Sequence, residues 1–218
     1  MRRLMSLRRV ALLAGGLVLA GCAVPQQSAG PSIEQVRAQL QAGNYEAAAP
    51  DLQTLADRGS PRAQVMLGAM YEAGHGVAQD FSEARRLYEL AAAQDHAPAF
   101  GLLGRMYAMG RGGTQDVAKA VDLYERGIAA GDDWSAFARA FQYETGEGAE
   151  HNMAEAVRLY RMAAEKGHTR AITRLGILHM RGNGVEQDLA EARRLLELAA
   201  PHSELARSML AHVQEMEG

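Results

Sequence analysis

The segment that establishes the architecture of this chain reads Leu67-Gly68-Ala69-Met70-Tyr71-Glu72-Ala73-Gly74-His75-Gly76-Val77-Ala78-Gln79-Asp80. Its pattern returns at residues 103–116, in a weaker form from Tyr143 to Asn152, and again at residues 175–188. The step is 36 residues each time, without insertion or deletion. A fixed period of this length is typical of stacked repeats, in which each supersecondary unit buries its apolar side against its neighbours.

Each repeat divides into two helical patterns. In the first full repeat, Ser60 and Pro61 are expected to start a helix, and Gly74-His75-Gly76 to end it, because glycine adopts the left-handed conformation at little cost. Asp80 then caps a second helix, and Glu83 is expected to complete a capping box. The later repeats place the same cap at Asp116, Asn152 and Asp188, with Glu155 and Glu191 expected to reciprocate.

Further helices are expected outside the full repeats. Ser32 starts a short helix, Asn44 starts a second one, and Ser203 starts a terminal helix that covers the end of the stack. Pro50 falls inside the second of these helices and is expected to kink it or to delay its start. The sequence therefore predicts an all-α fold of eleven helices, wound as a right-handed α/α superhelix.

The repeat resembles that of a known family. The pattern Ala-x-x-x-Leu-Gly-x-x-Tyr-x-x-Gly-x-Gly-Val-x-x-Asp-x-x-x-Ala-x-x-x-Tyr-x-x-Ala-Ala-x-x-Gly is similar to the Sel-one-like repeat (SLR), a relative of the tetratricopeptide repeat. We expect one solenoid over 32–218, with an incomplete unit at 32–60, full repeats at 61–96, 97–132, 133–168 and 169–202, and a capping helix at 203–218. The chain departs from the pattern at Arg139, His179 and Leu196, so imperfect packing is expected in the last two repeats.

The N-terminus predicts membrane attachment. Residues 1–21 combine four arginines with an apolar run that is too short to span a bilayer, which is typical of a signal peptide. The run ends in Leu19-Ala20-Gly21-Cys22, which resembles the lipobox of bacterial lipoproteins and implies cleavage before Cys22 and its acylation, for example with palmitate. Residues 22–31 are expected to form a flexible tether, and Ala23 favours the outer membrane, facing the periplasm, by analogy with the family. The alternative is a chance cysteine after an ordinary signal peptide.

Composition argues against several classes of function. The formal charge is −3 even with the leader arginines, and no basic cluster stands out, so nucleic acid is not an expected partner. The seven histidines form no i, i+4 pair, so no metal site is predicted, and no cofactor is expected. His96 and His168 are expected to end equivalent helices, where a cation interacts favourably with the helix dipole. The acidic residues near the third repeat are expected to be solvated in turns rather than catalytic: Asp132, Asp133, Glu144, Glu147 and Glu150.

One set of residues predicts a binding surface. By analogy with tetratricopeptide repeats, Trp134, Phe137 and Phe141 occupy groove-facing positions of one helix, and their i, i+3, i+7 spacing places them in one stripe. Either the stripe lines the concave groove as a binding hot spot, or the helix is rotated and the stripe is core. Four arginines at groove positions are expected to surround it, which suggests an acidic, partly apolar ligand: Arg62, Arg105, Arg170 and Arg181.

These observations favour a non-catalytic, lipid-anchored periplasmic scaffold or adaptor that binds a protein or peptide partner in its concave groove, in envelope assembly or secretion. Two alternatives stay open. One is a hydrolase-like factor that acts on cell wall or polysaccharide. The other is a periplasmic immunity protein against a secreted toxin, which would use the same groove.

Overall fold

The computed structural model describes residues 30–217 of the 218-residue chain, so the predicted signal peptide, Cys22 and most of the predicted tether lie outside the described residues. The described part contains eleven α-helices, one short 3-10 turn at Ala200–His202 and no strand, which confirms the predicted all-α repeat fold. The helices before the full repeats are α1 (Ile33–Gln41) and α2 (Tyr45–Asp57). The later helices are α3 (Pro61–Ala73), α4 (Phe81–Ala92), α5 (Ala97–Met109), α6 (Val117–Ala129), α7 (Asp133–Thr145), α8 (Met153–Glu165), α9 (Thr169–Arg181), α10 (Leu189–Ala199) and α11 (Glu204–Glu217).

Each full repeat is an antiparallel helix hairpin that packs against the next one. The pairs α3–α4, α5–α6, α7–α8 and α9–α10 have the closest mutual packing, and each second helix also contacts the first helix of the following repeat. Small residues allow the close approach within a pair: a Cβ on Gly104 would come within 2.5 Å of the Tyr124 ring. Buried side chains form successive clusters along the stack, and α11 covers the last of them with Ala206 and Val213.

The Gly-x-Gly turns connect neighbouring repeats as well as ending helices. The first glycine of each turn is the left-handed C-cap of the preceding helix, as at Gly110 with φ 65°. The second glycine lies against the first residue of the second helix of the repeat before it, so that a Cβ on Gly112 would overlap the carbonyl group of Phe81. The equivalent contacts are Gly76 on Tyr45, Gly148 on Val117 and Gly184 on Met153. The turn therefore sets the spacing between repeats.

The structure accommodates two of the three departures from the repeat pattern. Leu196 is fully buried and fills the space above Gly176 that a tyrosine ring fills in the earlier repeats. Arg139 is buried, but its guanidinium donates to Glu125 at 2.9 Å, to Gln142 at 3.2 Å and to the Tyr143 hydroxyl at 3.1 Å. The expected imperfect packing is therefore wrong at these two positions.

The third departure, His179, leaves a buried polar atom without a hydrogen bond to any described residue. Its Nδ1 atom is buried and has no hydrogen-bond partner among residues 30–217.

The N-terminal caps agree with the sequence in part. Ser32 and Gln35 form the predicted capping box in both directions, and Asp80 accepts from the backbone N–H of Ser82 and of Glu83. The reciprocal role expected of Glu83 is wrong, because its carboxylate binds Arg86 at 2.6 Å instead. Glu155 binds Arg158 and Glu191 binds Arg194 in the same way. A guanidinium three residues on outcompetes a backbone N–H for these carboxylates, since charge-assisted hydrogen bonds are the stronger ones.

Of the two effects expected of Pro50, a kink or a delayed start of its helix, the structure excludes the second. Helix α2 begins at Tyr45 and continues through Pro50, so the proline does not delay its start. Asn44 precedes this helix but makes no side-chain cap bond.

Candidate functional site

An open cavity of about 770 Å³ lies where the second and third full repeats meet the start of α9. Helices α5, α6 and α7 supply most of its wall, the turn before α8 supplies its rim, and Arg170 closes one side. We call it the aromatic cavity; its lining residues are Arg105, Ala108, Met109, Gln115, Val117, Tyr124, Trp134, Phe137, Ala138, Phe141, Gln142, Glu147, Gly148 and Arg170.

The predicted aromatic stripe lies on the wall of this cavity. Trp134 and Phe137 are half-buried, and Phe141 is 36% exposed. The side of α7 that faces inward carries small or polar residues, since Ala136 and Ala140 are buried in the core. Phe137 also reaches that core, with its ring 5.8 Å from the ring of Tyr160. The stripe therefore joins an accessible apolar surface to the interior.

Neighbouring small residues create the space in which the stripe sits. Gly101 on α5 faces α7, and a Cβ there would come within 2.5 Å of both the Trp134 ring and the Asp132 carboxylate. Asp132 is the buried N-cap of α7 and accepts from the backbone N–H of Ser135 at 2.7 Å and from its hydroxyl at 2.6 Å. Burial raises the pKa of Asp132. The expectation that this carboxylate is solvated in a turn is therefore wrong.

Two of the four predicted arginines flank the stripe. The Arg105 and Arg170 guanidinium carbons lie 5.6 Å and 5.4 Å from the centre of the Trp134 ring, within the range of cation–π attraction. Arg62 is exposed at the start of α3 and does not line the aromatic cavity. Arg181 lies in a separate depression between α9 and α11. The structure thus does not bring Arg62 and Arg181 to the stripe.

Arg105 belongs to a group of charges that is positive overall. The Glu72 carboxylate accepts from Arg105 at 2.7 Å, from Arg111 at 2.9 Å and from the Tyr88 hydroxyl at 3.2 Å. Two guanidinium groups therefore share one carboxylate. Arg170 forms no salt bridge to any described residue, whereas Glu147, exposed at the rim, contributes one negative charge. The net local charge favours an anionic ligand in an otherwise acidic chain.

Glu144 has a structural partner. It lies on α7 rather than in a turn, accepts from the Tyr160 hydroxyl at 2.6 Å, and lies 3.6 Å from Arg174. Burial and the adjacent Glu144 carboxylate raise the pKa of Tyr160. The expectation of a solvated carboxylate is wrong for Glu144, whereas Glu147 and Glu150 are exposed as expected.

His168 couples the stripe to the start of α9. Its Nδ1 accepts from the backbone N–H of Ala171 at 3.2 Å, and its ring stacks on that of Phe137 with centroids 4.7 Å apart. The predicted position at a helix end is wrong, because His168 and His96 are the N-caps of α9 and α5. A cation is unfavourable there. Burial lowers the pKa of both histidines, and the neutral imidazole suits the acceptor role of His168, whereas His96 makes no side-chain cap bond.

Family comparison agrees with this geometry. Residues 61–96, 102–132, 135–168 and 169–200 each match the Sel1 repeat. The chain belongs to the Sel1 repeat family. Sel1 repeat proteins are generally non-catalytic scaffolds that bind other proteins. No curated protein matches the chain significantly in sequence.

Solved structures show the same Sel1 architecture. A Sel1 repeat protein from Oxalobacter formigenes is 27% identical with a TM-score of 0.72, over 82% of this chain and 74% of that one. The protective antigen c5321 of uropathogenic Escherichia coli, described as having an SLR fold, is 28% identical with a TM-score of 0.66, over 84% of this chain but 42% of that one. The immunity protein Pa5087 of Pseudomonas aeruginosa is 16% identical with a TM-score of 0.56, over 76% of this chain and 65% of that one, and shares the fold.

The sequence pattern did not indicate several of the residues that line the cavity of this Sel1 protein. By the tetratricopeptide analogy that places Arg105 in the groove, Ala108 and Met109 also occupy groove-facing positions of α5, so the sequence could have indicated them. Tyr124 was not predicted as a cavity residue, because it occupies the tyrosine position of the second helix in the repeat pattern and was therefore expected in the core. Val117 and Gln142 line the cavity through contacts between repeats, for which the sequence gives no separate signal.

Within residues 30–217, no cluster of three or more potential metal ligands is present. The helices of that region are also too short or too polar to cross a bilayer.

Proposed function

We propose that this protein is a non-catalytic, lipid-anchored scaffold of the bacterial envelope that binds an acidic, partly apolar segment of a protein partner in the aromatic cavity. The observation that carries the proposal is the partly exposed stripe of Trp134, Phe137 and Phe141 between the cationic groups of Arg105 and Arg170. Large aromatic residues and arginine dominate the energetics of protein interfaces.

The scaffold supports binding by preorganisation. Most of the lining residues come from helices that are fixed by packing within and between repeats, and Trp134 is held between Gly101, Phe137 and His168. A surface of this kind loses little conformational entropy when a partner binds. The general role of Sel1 repeats as protein-binding scaffolds supports the same conclusion.

Two of the acidic residues that a hydrolase could use have other roles here. Asp132 caps α7, and Glu144 binds Tyr160 and Arg174. These contacts favour the scaffold over the hydrolase-like alternative. A secreted toxin as the bound partner would make the protein an immunity factor.

Site-specific crosslinking in living cells tests the binding surface. A photoreactive amino acid at Met109, on the cavity, is compared with one at Leu198, on α10; both native side chains are 58% exposed. We expect a defined adduct from position 109 and none from position 198, with the crosslink mapping to an acidic, partly apolar segment. Equal adducts from both positions would contradict the proposal.

A pair of variants provides the second arm of this test. Phe141→Ser removes an exposed ring of the stripe, and Leu198→Ser removes an exposed apolar side chain outside the cavity. We expect the adduct at position 109 to be lost in the first variant and kept in the second.

The proposed anchor is Cys22, which lies outside the described residues. Fractionation of cells that express the wild type or Cys22→Ser tests it. We expect the wild type in the outer membrane fraction and release of the variant from that fraction. Retention of the variant would rule out the lipid anchor without affecting the binding surface.

A further inference from the structure

A buried tyrosine–carboxylate pair recurs in the repeats. In the first full repeat the Tyr88 hydroxyl donates to Glu72 at 3.2 Å, and in the third the Tyr160 hydroxyl donates to Glu144 at 2.6 Å. The partners are separated by 16 residues in both cases. Each carboxylate also lies against an arginine of the following repeat, Arg105 or Arg174.

The second repeat keeps the tyrosine and lacks its partner. Tyr124 occupies the position of Tyr88 and Tyr160, but Ala108 stands where the glutamate would be. In the fourth repeat both positions are apolar, Met180 and Leu196, so no hydroxyl is left over. The Tyr124 hydroxyl makes no hydrogen bond to any residue in the described part of the chain, although the side chain is buried.

The position at which the carboxylate is missing lies on the wall of the aromatic cavity. Ala108 and Tyr124 both line it, next to Arg105 and Trp134. Burial raises the pKa of Tyr124 to about 12, so its hydroxyl is a proton donor at neutral pH, and the Arg105 charge acts on the same hydroxyl. Arg105 Nε and Trp134 Nε1 are also buried without an acceptor in residues 30–217. These two buried donors without an acceptor call for an explanation, and the Tyr124 hydroxyl, on the same cavity, is a third donor without a partner among residues 30–217.

We propose that the space beside Ala108 is the seat of a carboxylate side chain supplied by the bound partner. The partner's glutamate or aspartate accepts from the Tyr124 hydroxyl, as Glu72 and Glu144 accept from Tyr88 and Tyr160. It also lies near the charge of Arg105, which here belongs to the same repeat as Tyr124, whereas Glu72 and Glu144 meet an arginine of the following repeat. Apolar residues beside it in the partner pack on Trp134 and Phe141. The seat rests on the proposed function and specifies the chemistry that the cavity recognises.

Peptide binding tests the seat. Two acetylated pentapeptide amides that differ only in a central glutamate or glutamine between leucines are titrated into the full-length protein. Trp134 is the only tryptophan of the chain, so its fluorescence reports directly on the cavity. We expect the glutamate peptide to bind about tenfold more tightly, because a hydrogen bond to a charged group contributes more than one between neutral groups.

Substitutions at three positions locate the effect. Tyr124→Phe removes the unpaired donor, and Ala108→Glu supplies the carboxylate from within the chain; both are expected to reduce the preference for the glutamate peptide to less than about twofold. Tyr160→Phe is the matched control, since that hydroxyl is already paired with Glu144, and it should keep the preference. Ala108→Glu should also raise the melting temperature relative to Ala108→Gln.

The outcomes separate the seat from the wider function. If both peptides bind equally and Phe141→Ser weakens both, the seat is wrong and the groove function stands. A full preference in Tyr124→Phe also overturns the seat. If neither peptide binds, the seat is wrong, and the crosslinks from position 109 then decide the proposed function independently.

Discussion

Removing the hydroxyl of Tyr160 is expected to destabilise the fold much more than removing that of Tyr124. Tyr160 donates at 2.6 Å to Glu144, a mostly buried carboxylate whose other partner, Arg174, is 3.6 Å away. Tyr160→Phe leaves Glu144 poorly paired and is expected to lower the free energy of unfolding by about 1–2 kcal/mol. Tyr124→Phe removes an unpaired hydroxyl and should change it by less than about 0.5 kcal/mol. Urea unfolding of both variants measures the difference, and equal losses would contradict the pairing.

His168 makes stability depend on pH. Burial and nearby Arg170 lower its pKa from the usual 6.5, while Asp133 opposes them in part. The unfolded chain therefore takes up a proton that the folded chain resists, so this contribution to stability is complete above about pH 6.5 and is lost as the pH falls below that value. Between about pH 7.5 and 5.5 the melting temperature of the wild type should fall more than that of His168→Asn, which keeps a cap acceptor without titrating. An identical fall in both would exclude His168 as the cause.

At the scale of the helices and turns, replacing the second glycine of a turn is expected to destabilise the fold in two ways, through backbone strain and through a clash with the preceding repeat. Gly112 has φ 71°, and a Cβ there would overlap the Phe81 carbonyl; Gly59 has φ 85° with nothing within 4 Å. Gly59→Ala should cost only the backbone strain, about 1–2 kcal/mol. Gly112→Ala should cost about 1–3 kcal/mol more, because the repeats must separate. Thermal unfolding of the two variants isolates the contact between repeats, and equal losses would show that it contributes nothing.

Most helical elements could be predicted because their signals are local. Caps such as Asp80 and Asp116, and the glycines after each first helix, are read from a few neighbouring residues. The wrong predictions concern side chains for which a second partner or a neighbouring helix was not considered. Glu83 binds Arg86 rather than the backbone, and His168 belongs to the helix that follows it.

The site was predictable in part for the same reason. The spacing of Trp134, Phe137 and Phe141 placed them in one stripe, because that depends on a single helix. The cavity itself depends on the absence of side chains elsewhere, at Gly101 and Ala108 of the preceding repeat. No pattern within α7 contains that information.

At the scale of the whole molecule, the contacts among residues 30–217 run mainly between neighbouring helices of the stack. Each helix packs on the one before and the one after it, and α5 also contacts α7. Stability in such an array is close to a sum of unit and interface contributions. The aromatic cavity is built by the second and third full repeats with Arg170 of the fourth. It is therefore expected to survive damage at the far end of the array.

Val213→Asp tests this independence. Val213 is fully buried on α11, and an unpaired carboxylate there should detach the helix, at a cost of about 3 kcal/mol or more. Hydrogen exchange should show lost protection in α11 and α10 and unchanged protection in α3–α6, with the Trp134 emission preserved. Met216→Asp, at a position that is 44% exposed, is the matched control and should leave every helix protected. Equal loss of protection in all repeats would mean that the array unfolds as one unit, so that damage at α11 would also disrupt the aromatic cavity.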